Sequence, residues 1–292
     1  MAFGSIKEIE EKCKAENIEF WQAILADDME ERMCSYEDSY EKMRDIWRTM
    51  LESGESYDPS LKSNSGLVGG NGKKMADYAD SGNAYCDGFV GHVISRAIQM
   101  GESNACMRKI VAAPTAGACG VMPAVLISLY KEKNIDEETI VKSFYVAAGV
   151  GQVVASRAFI AGAAGGCQAE IGTASAMAAA ALAYIKGGGV KEISAAAGAA
   201  LQNLMGLVCD PVAGLVEVPC VKRNVVGAVN ALSCADMAMA GIGNIIPTDE
   251  IIDAMREVGE SLPAELRETG EGGVANTPTG RKIKEEIIGE GF

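Results

Sequence analysis

The chain is 292 residues long, 48% hydrophobic but only 5% aromatic, with 34 glycines and a formal net charge of -14. That acidity argues against nucleic acid and against an anionic membrane surface as partners. A hydrophobic content of this size supports a buried core, but one built of Ala, Gly, Val and Met rather than of rings.

The nine cysteines stand at positions 13, 34, 86, 106, 119, 167, 209, 220 and 234. The N-terminal stretch Met1–Glu10 is charged and amphipathic and has no apolar h-region. A secreted disulfide scaffold is therefore not expected. The thiols are read as free or metal-bound in a reducing, cytoplasmic compartment.

Ser5 and Glu8 fit a capping box for a first helix with Ile6, Ile9 and Cys13 on one face. Met29, Met33, Tyr36, Tyr40, Met43 and Trp47 recur at helical spacing and predict one long helix from about Asp28 to Leu51. Residues 1–55 read as a helical outer layer, and 56–292 as a single catalytic unit.

Glu52–Pro59 has the turn chemistry of a linker. It leads into Ser65-Gly66 and Gly69-Gly70, a run of small residues whose amides and hydroxyl can face an anion. The plain alternative is a flexible loop.

Gly88–Gln99 reads as a helix carrying His92, the only histidine, which on such a helix is more often structural than catalytic. Ile110–Tyr130 is uncharged and long enough to span a bilayer. It holds Pro114, Gly117, Gly120 and Pro123, so it reads as a loop feeding a buried helix, not a membrane span. Within it, Thr115 and Gly117 precede a helix, where anions are stabilised.

A helix with acids in its first turn begins near Asn134-Ile135-Asp136. Small-residue helices follow over Ala174–Ile185, Ile193–Val208 and Asn224–Gly243. Helices with no polar face are buried, so these predict an all-α bundle around a central small-residue helix. No βαβ alternation is visible. A last amphipathic helix is expected after Pro247, with Ile251, Ile252, Met255 and Val258 on its apolar face, followed by a second glycine–threonine loop at 268–280.

Cys167, Cys209 and Cys220 sit beside glycines and prolines, where a backbone corner can offer a thiolate to a soft metal or an iron–sulfur cluster. Their spacing matches neither a zinc finger nor a compact ferredoxin run, and free Cys is also a common core residue. Cys119 and Cys234 read as core thiols.

Three motifs carry a resemblance. Gly-Ala-Ala-Gly-Gly-Cys167-Gln-Ala-Glu170, Cys209-Asp-Pro-Val-Ala-Gly-Leu-Val-Glu-Val-Pro-Cys220 and Glu268-Thr-Gly-Glu-Gly-Gly-Val-Ala-Asn-Thr-Pro-Thr-Gly280 are similar to those of the bacterial iron–sulfur L-serine dehydratases. Pro114-Thr-Ala-Gly117 and Ser65-Gly-Leu-Val-Gly-Gly70 fit the same family, and the whole most resembles the α chain of its two-subunit form.

The resemblance implies a [4Fe–4S] cluster held by Cys167, Cys209 and Cys220, with one iron open to L-serine, and a separate β chain. It makes Ser65, Gly66, Gly69, Gly70, Thr115 and Gly117 candidates for the substrate carboxylate. Lys222, Arg223 and Asn224 become candidates for neutralising charge, although a salt-bridge role fits Lys222 and Arg223 equally well. The chain ends Gly291-Phe292, so no tail thiol is expected on the open iron, and the general base is expected from the partner chain.

Three other readings stand beside this one. The first is a pyridoxal-phosphate dehydratase using Lys186 and Gly187–Gly189. The second is a cysteine desulfidase-like lyase on a similar cluster, and the third a non-catalytic scaffold subunit.

Overall fold

The computed structural model describes residues 3–289 and shows 13 α-helices joined by short 3-10 and π turns, with no strand among the described residues. Gly291-Phe292, on which the expectation of no tail thiol rests, lie outside them. The all-α expectation holds.

The first helix, α1 (Ile6–Glu16), is capped by the Ser5 hydroxyl, which accepts from the Glu8 amide. The next two orphan amides, of Ile6 and Lys7, donate to the Asp249 carboxylate at 2.8 and 3.0 Å, tying the start of the chain to a helix near its end. The long helix expected over Asp28–Leu51 is instead two, α2 (Phe20–Arg32) and α3 (Tyr36–Glu55). Met33 turns left-handed (φ 49°), and Ser35 with Asp38 forms a capping box that starts α3. The heptad-like spacing ran straight across this break because Met33 happens to fall in phase. The linker also starts later than expected, since α3 covers Glu52–Glu55.

The helix α4 (Asn71–Asp80) had no prediction, its start being hidden in the glycine run. Then come α5 (Gly88–Ala105), α6 (Val121–Glu132) and α7 (Glu137–Arg157), whose Asp136 cap accepts from the Thr139 amide. The uncharged run 110–130 is, as expected, a loop and a 3-10 turn feeding the buried α6. It is α7 that is long and apolar enough to cross a membrane by length and composition. Its apolar residues are used in packing here, with 67% of that window buried.

His92 of α5 spans two elements: Nδ1 meets Glu132 of α6 at 2.8 Å and Nε2 meets Asp80 of α4 at 2.9 Å. The bond to Glu132, then that to Asp80, raises the imidazole above its ordinary value. A raised folded pKa means the folded chain holds the proton more tightly. The stabilisation is thus complete below about pH 6.5, the unfolded value, and is lost as pH rises through the folded one. His92→Gln should therefore cost on the order of 1 kcal/mol in urea unfolding near pH 6 and almost nothing near pH 9, after discounting for partial exposure. A loss independent of pH would show that the ring packs rather than pairs.

After the four-residue α8 (Gly162–Gly165) and a π turn at Gln168–Gly172 comes α9 (Thr173–Ile185), the central helix. Every side chain from Thr173 to Ala183 is buried. Around it lie α6, α7, α10 (Val190–Leu204) and α11 (Cys220–Met239). Alanine, serine and glycine allow these axes to approach closely. At Gly227 of α11 an added Cβ would come within 2.9 Å of methyl carbons of Ile171 and Val121. The Ser175 hydroxyl donates to the Gly227 carbonyl, and Asn230 donates to Ser175 and to the Ala200 carbonyl, so α9, α10 and α11 are locked where they cross.

The expected boundaries shift here. Helix α10 stops at Leu204, four residues short of Val208, and α11 begins at Cys220, four residues before Asn224. The chain closes with α12 (Thr248–Ser261) and α13 (Pro278–Gly289). Side chains of the first three helices, among them Ile6, Phe20, Trp21, Tyr40 and Trp47, belong to the same hydrophobic cluster as α9.

Candidate metal centre

Each of the three cysteines stands where a helix begins or a loop is pinned. Cys167 follows Gly166 (φ 76°) at the end of α8. The next residue, Gln168, is tied from both ends: its amide donates to the Leu207 carbonyl, its side-chain NH2 donates to Met255, and its carbonyl oxygen accepts from the Gly206 amide. Cys209 lies on an extended segment; its amide donates to the Leu266 carbonyl and its carbonyl accepts from the Glu268 amide. This bridge aligns the 268–280 loop with the second thiol. Cys220 opens α11 directly after Pro219.

All three are buried, at 2%, 2% and 6% exposed, and no cysteine is in a disulfide. The sulfurs of Cys167 and Cys209 and a carboxylate oxygen of Glu170 lie within 4.8 Å of one another. The Cys209 thiol donates to the Cys167 sulfur, which, with the Arg223 guanidinium nearby, holds Cys167 below the ordinary thiol range against the cost of burial. Donating that bond, together with burial, pushes Cys209 up. Burial and the Cys167 charge push Cys220 to about 12. Buried thiolates need a counter-charge, and the Arg223 guanidinium acts on both Cys167 and Cys220 here.

Arg223 is well anchored. It donates to the Val208 carbonyl at 2.7 Å and pairs with Asp210 at 2.7 Å, with 14% of its side chain exposed. Asp210 in turn accepts from the Val274 amide at 2.7 Å, joining the 268–280 loop to the same network. The donor set of soft, buried sulfurs fits an iron–sulfur group, and the lack of a side chain at Gly162 lets the backbone lie close against it. An added Cβ at Gly162 would stand 2.9 Å from the Cys209 sulfur.

The expected substrate residues divide into two groups. Thr115, Gly117 and Asn224 join the thiols. The Thr115 hydroxyl donates to Glu170 at 2.7 Å, and a Cβ at Gly117 would fall 2.9 Å from the same carboxylate. Asn224 is fully committed: Oδ1 accepts from the Gly120 amide, and Nδ2 donates to the carbonyls of Gly117 and Cys220. It is the fastener between the Thr115 turn and the first turn of α11.

Ser65, Gly66, Gly69 and Gly70 do not join the thiols, and Ser65 bonds instead to Glu217. The hydroxyls of Ser63 and Ser65 donate to that carboxylate at 2.8 and 2.6 Å. Glu217 lies in the segment between Cys209 and Cys220. The loop's amides already have an anion, since Gly69, Asn71 and Gly72 all donate to Glu102. Gly66 faces open space, Gly70 caps α4, and Lys222 lies exposed on α11.

Sequence reasoning missed four acids: Glu102, Glu170, Glu217 and Glu268. Glu170 and Glu268 stand inside quoted motifs, as the last and first residues respectively, and that position was the available signal. Burial pushes the Glu170 carboxyl up against the Thr115 bond, and the charge of Glu268 adds to the rise. Cys119 and Cys234 are buried, with the Cys119 thiol on the Met100 carbonyl and Cys234 beside Asn203 and Asn230. Lys186 is exposed beyond the end of α9. A Schiff-base lysine needs a desolvated pocket, so nothing there favours pyridoxal chemistry.

The family model described as "Serine dehydratase alpha chain" matches residues 15–275. The chain is 43% identical to the "Probable L-serine dehydratase, alpha chain" of Bacillus subtilis, covering 98% of this chain and 96% of that one. It is 41% identical to the "L-serine dehydratase, alpha chain" of Peptoniphilus asaccharolyticus over 99% of both. The "L-serine dehydratase" of Haemophilus influenzae is 43% identical over 61% of this chain and only 40% of its own length. All three cysteines lie inside the matched region, and the chain belongs to the serine dehydratase alpha chain family.

Proposed function

We propose that this chain is the α subunit of an L-serine dehydratase, a lyase that converts L-serine to pyruvate and ammonia with a separate β chain in the cytoplasm. Its cofactor would be a [4Fe–4S] cluster held by Cys167, Cys209 and Cys220. The observation that carries the reading is the meeting of two buried thiols, Cys167 and Cys209, with the Glu170 carboxylate, and a third buried thiol, Cys220, near enough to feel the charges of Cys167 and Glu170.

With three protein thiolates, such a group supplies an iron with a free coordination position, a Lewis acid for a hydroxyl that is otherwise a poor leaving group. The chain's own residues do the rest of the positioning. Arg223 offsets the negative charge that the thiolates add. Asn224 fixes the Thr115 turn against α11, and Thr115 orients Glu170 toward the sulfurs. The Asp210–Val274 and Cys209–Glu268 bonds hold the 268–280 loop over the site, where it limits access of water. Ser63 and Ser65 bond Glu217 and so brace the segment that runs from Cys209 to Cys220.

The test is anaerobic purification of the chain with its β partner. Roughly four iron and four sulfide per α chain, a broad brown absorption and pyruvate formation from L-serine are expected together, with activity lost when the β chain is omitted. Iron-free material that still deaminates serine, or loaded material that does not, would overturn the proposal. Sulfide release from cysteine without pyruvate from serine would favour the desulfidase-like reading.

A further inference from the structure

We infer that Asp210 is a positioning residue that makes the seating of the 268–280 loop and the aim of Arg223 at the thiols a single event. The inference deepens the metal-centre reading and rests on it.

Arg223 reaches all three ligand segments. It stands one turn after Cys220 on α11 and grips both neighbours of Cys209. Its Nη1 donates to the Val208 carbonyl at 2.7 Å, and its Nη2 pairs with the Asp210 carboxylate at 2.7 Å. The same guanidinium bonds the Cys167 sulfur. A long side chain holds one direction only against a fixed partner, and Asp210 is that partner. Asp210 is 3% exposed, and its Oδ1 has the guanidinium and no hydrogen-bond donor besides. A buried carboxylate oxygen so placed is costly to part from its cation.

The other oxygen belongs to the loop. Oδ2 accepts from the Val274 amide at 2.7 Å. The loop backbone lies hard against it: a Cβ at Gly273 (φ 54°) would stand 2.1 Å from Oδ2 and 2.7 Å from the Asp210 Cβ. The contact is closed, so the loop fits only while the carboxylate stays where Arg223 holds it. Among the described residues, the other hydrogen bonds of 270–280 stay within the loop and its flank. Thr277 donates to the Val274 carbonyl, Gly280 to Thr277 and Arg281 to Asn276. The backbone pairing of Glu268 with Cys209 fixes the start of the loop; its far half reaches the centre through Asp210.

Two events that share one carboxylate are linked, and linkage is reciprocal. Filling the centre steadies Arg223 and Asp210, and through them the Val274 amide. Displacing the loop loosens the hold on the iron in turn.

The experiment reads both directions, on the heteromer loaded with iron and again after anaerobic stripping by a chelator. Hydrogen exchange over 268–280, followed by mass spectrometry, should be about tenfold slower in the loaded form. In Asp210→Asn the carboxamide oxygen can still accept from Val274, but its NH2 meets the guanidinium donor against donor. The ratio of the two exchange rates should then fall to about twofold or less. Arg223→Lys keeps a charge but not the fork, and should show the same loss of response. From the other side, Gly273→Ala touches no thiol yet pushes the carboxylate aside, and the chelator should strip its iron about tenfold faster. Gly241→Ala is the control for backbone strain. It has the same left-handed backbone (φ 85°) with nothing within 4 Å, and should lose iron at the unaltered rate.

An equal response to loading in Asp210→Asn and the unaltered chain, or equal iron loss from Gly273→Ala and Gly241→Ala, would refute the assignment. Material that takes up no iron sinks it together with the metal-centre reading. Loaded material that shows the linkage but makes no pyruvate from L-serine sinks the serine reading alone.

Discussion

Cys209→Ser in the reconstituted heteromer should lower pyruvate formation by about a hundredfold or more and remove most of the bound iron. The reason lies in what the substitution spares. Cys209 is held by its backbone, through the Leu266 carbonyl and the Glu268 amide, and serine keeps both bonds and nearly the same volume. Only the soft donor is lost, and a neutral buried hydroxyl is a poor iron ligand. Fold and the placement of the 268–280 loop should therefore survive, and near-native circular dichroism with missing iron is the expected signature. Cys119→Ser and Cys234→Ser are the controls. Both thiols are as deeply buried, at 1% and 0% exposed, and both bond to protein groups outside the centre. They should keep their iron and lose on the order of 1 kcal/mol of stability. A scaffold subunit with inert thiols predicts something different: all three variants equally active and equally coloured. Retained iron and rate in Cys209→Ser would favour it.

What could be read from the sequence follows from the range of the interactions involved. The central helix was visible as Ala174–Ile185, because a run of apolar small residues with no polar face has nowhere to go but inside. The break at Met33 was not, since a left-handed residue can sit in phase with a helical stripe, and the Ser35–Asp38 box lies inside a run of six well-spaced apolar residues that hides it. Helix α4 was missed because glycine and asparagine at its start carry turn signals as strong as its helical ones. The thiols were readable from their motifs. The partners of the loops were not: Ser65 meets Glu217 across 152 residues of sequence, and Gly69 meets Glu102 across 33. A glycine-rich run advertises free amides, but only the fold decides which anion takes them.

That decision can be measured at Glu102, which is 1% exposed and carries four hydrogen bonds. One carboxylate oxygen accepts from the amides of Gly69 and Asn71, at 3.1 and 2.9 Å. The other accepts from the Gly72 amide at 3.1 Å and the Tyr57 hydroxyl at 2.7 Å. Burial, then the bond to this carboxylate, pushes the Tyr57 hydroxyl up, so it remains a donor at every pH of interest. Glu102→Gln has the same shape but replaces one acceptor with an NH2, which must face either two amides or an amide and a hydroxyl, donor against donor. The expected cost is about 2–4 kcal/mol in urea unfolding, well above the roughly 1 kcal/mol expected for Tyr57→Phe, which deletes a single bond. The double variant should lose less than the sum, because part of the Tyr57 bond is already gone. The iron centre should remain loaded, since none of its thiols depends on this carboxylate, while the Ser65 contact to Glu217 loosens and the KM for serine rises. Equal losses for Glu102→Gln and Tyr57→Phe would mean that the three amides find other acceptors readily. The loop would then be as free to meet a substrate anion as its sequence first suggested.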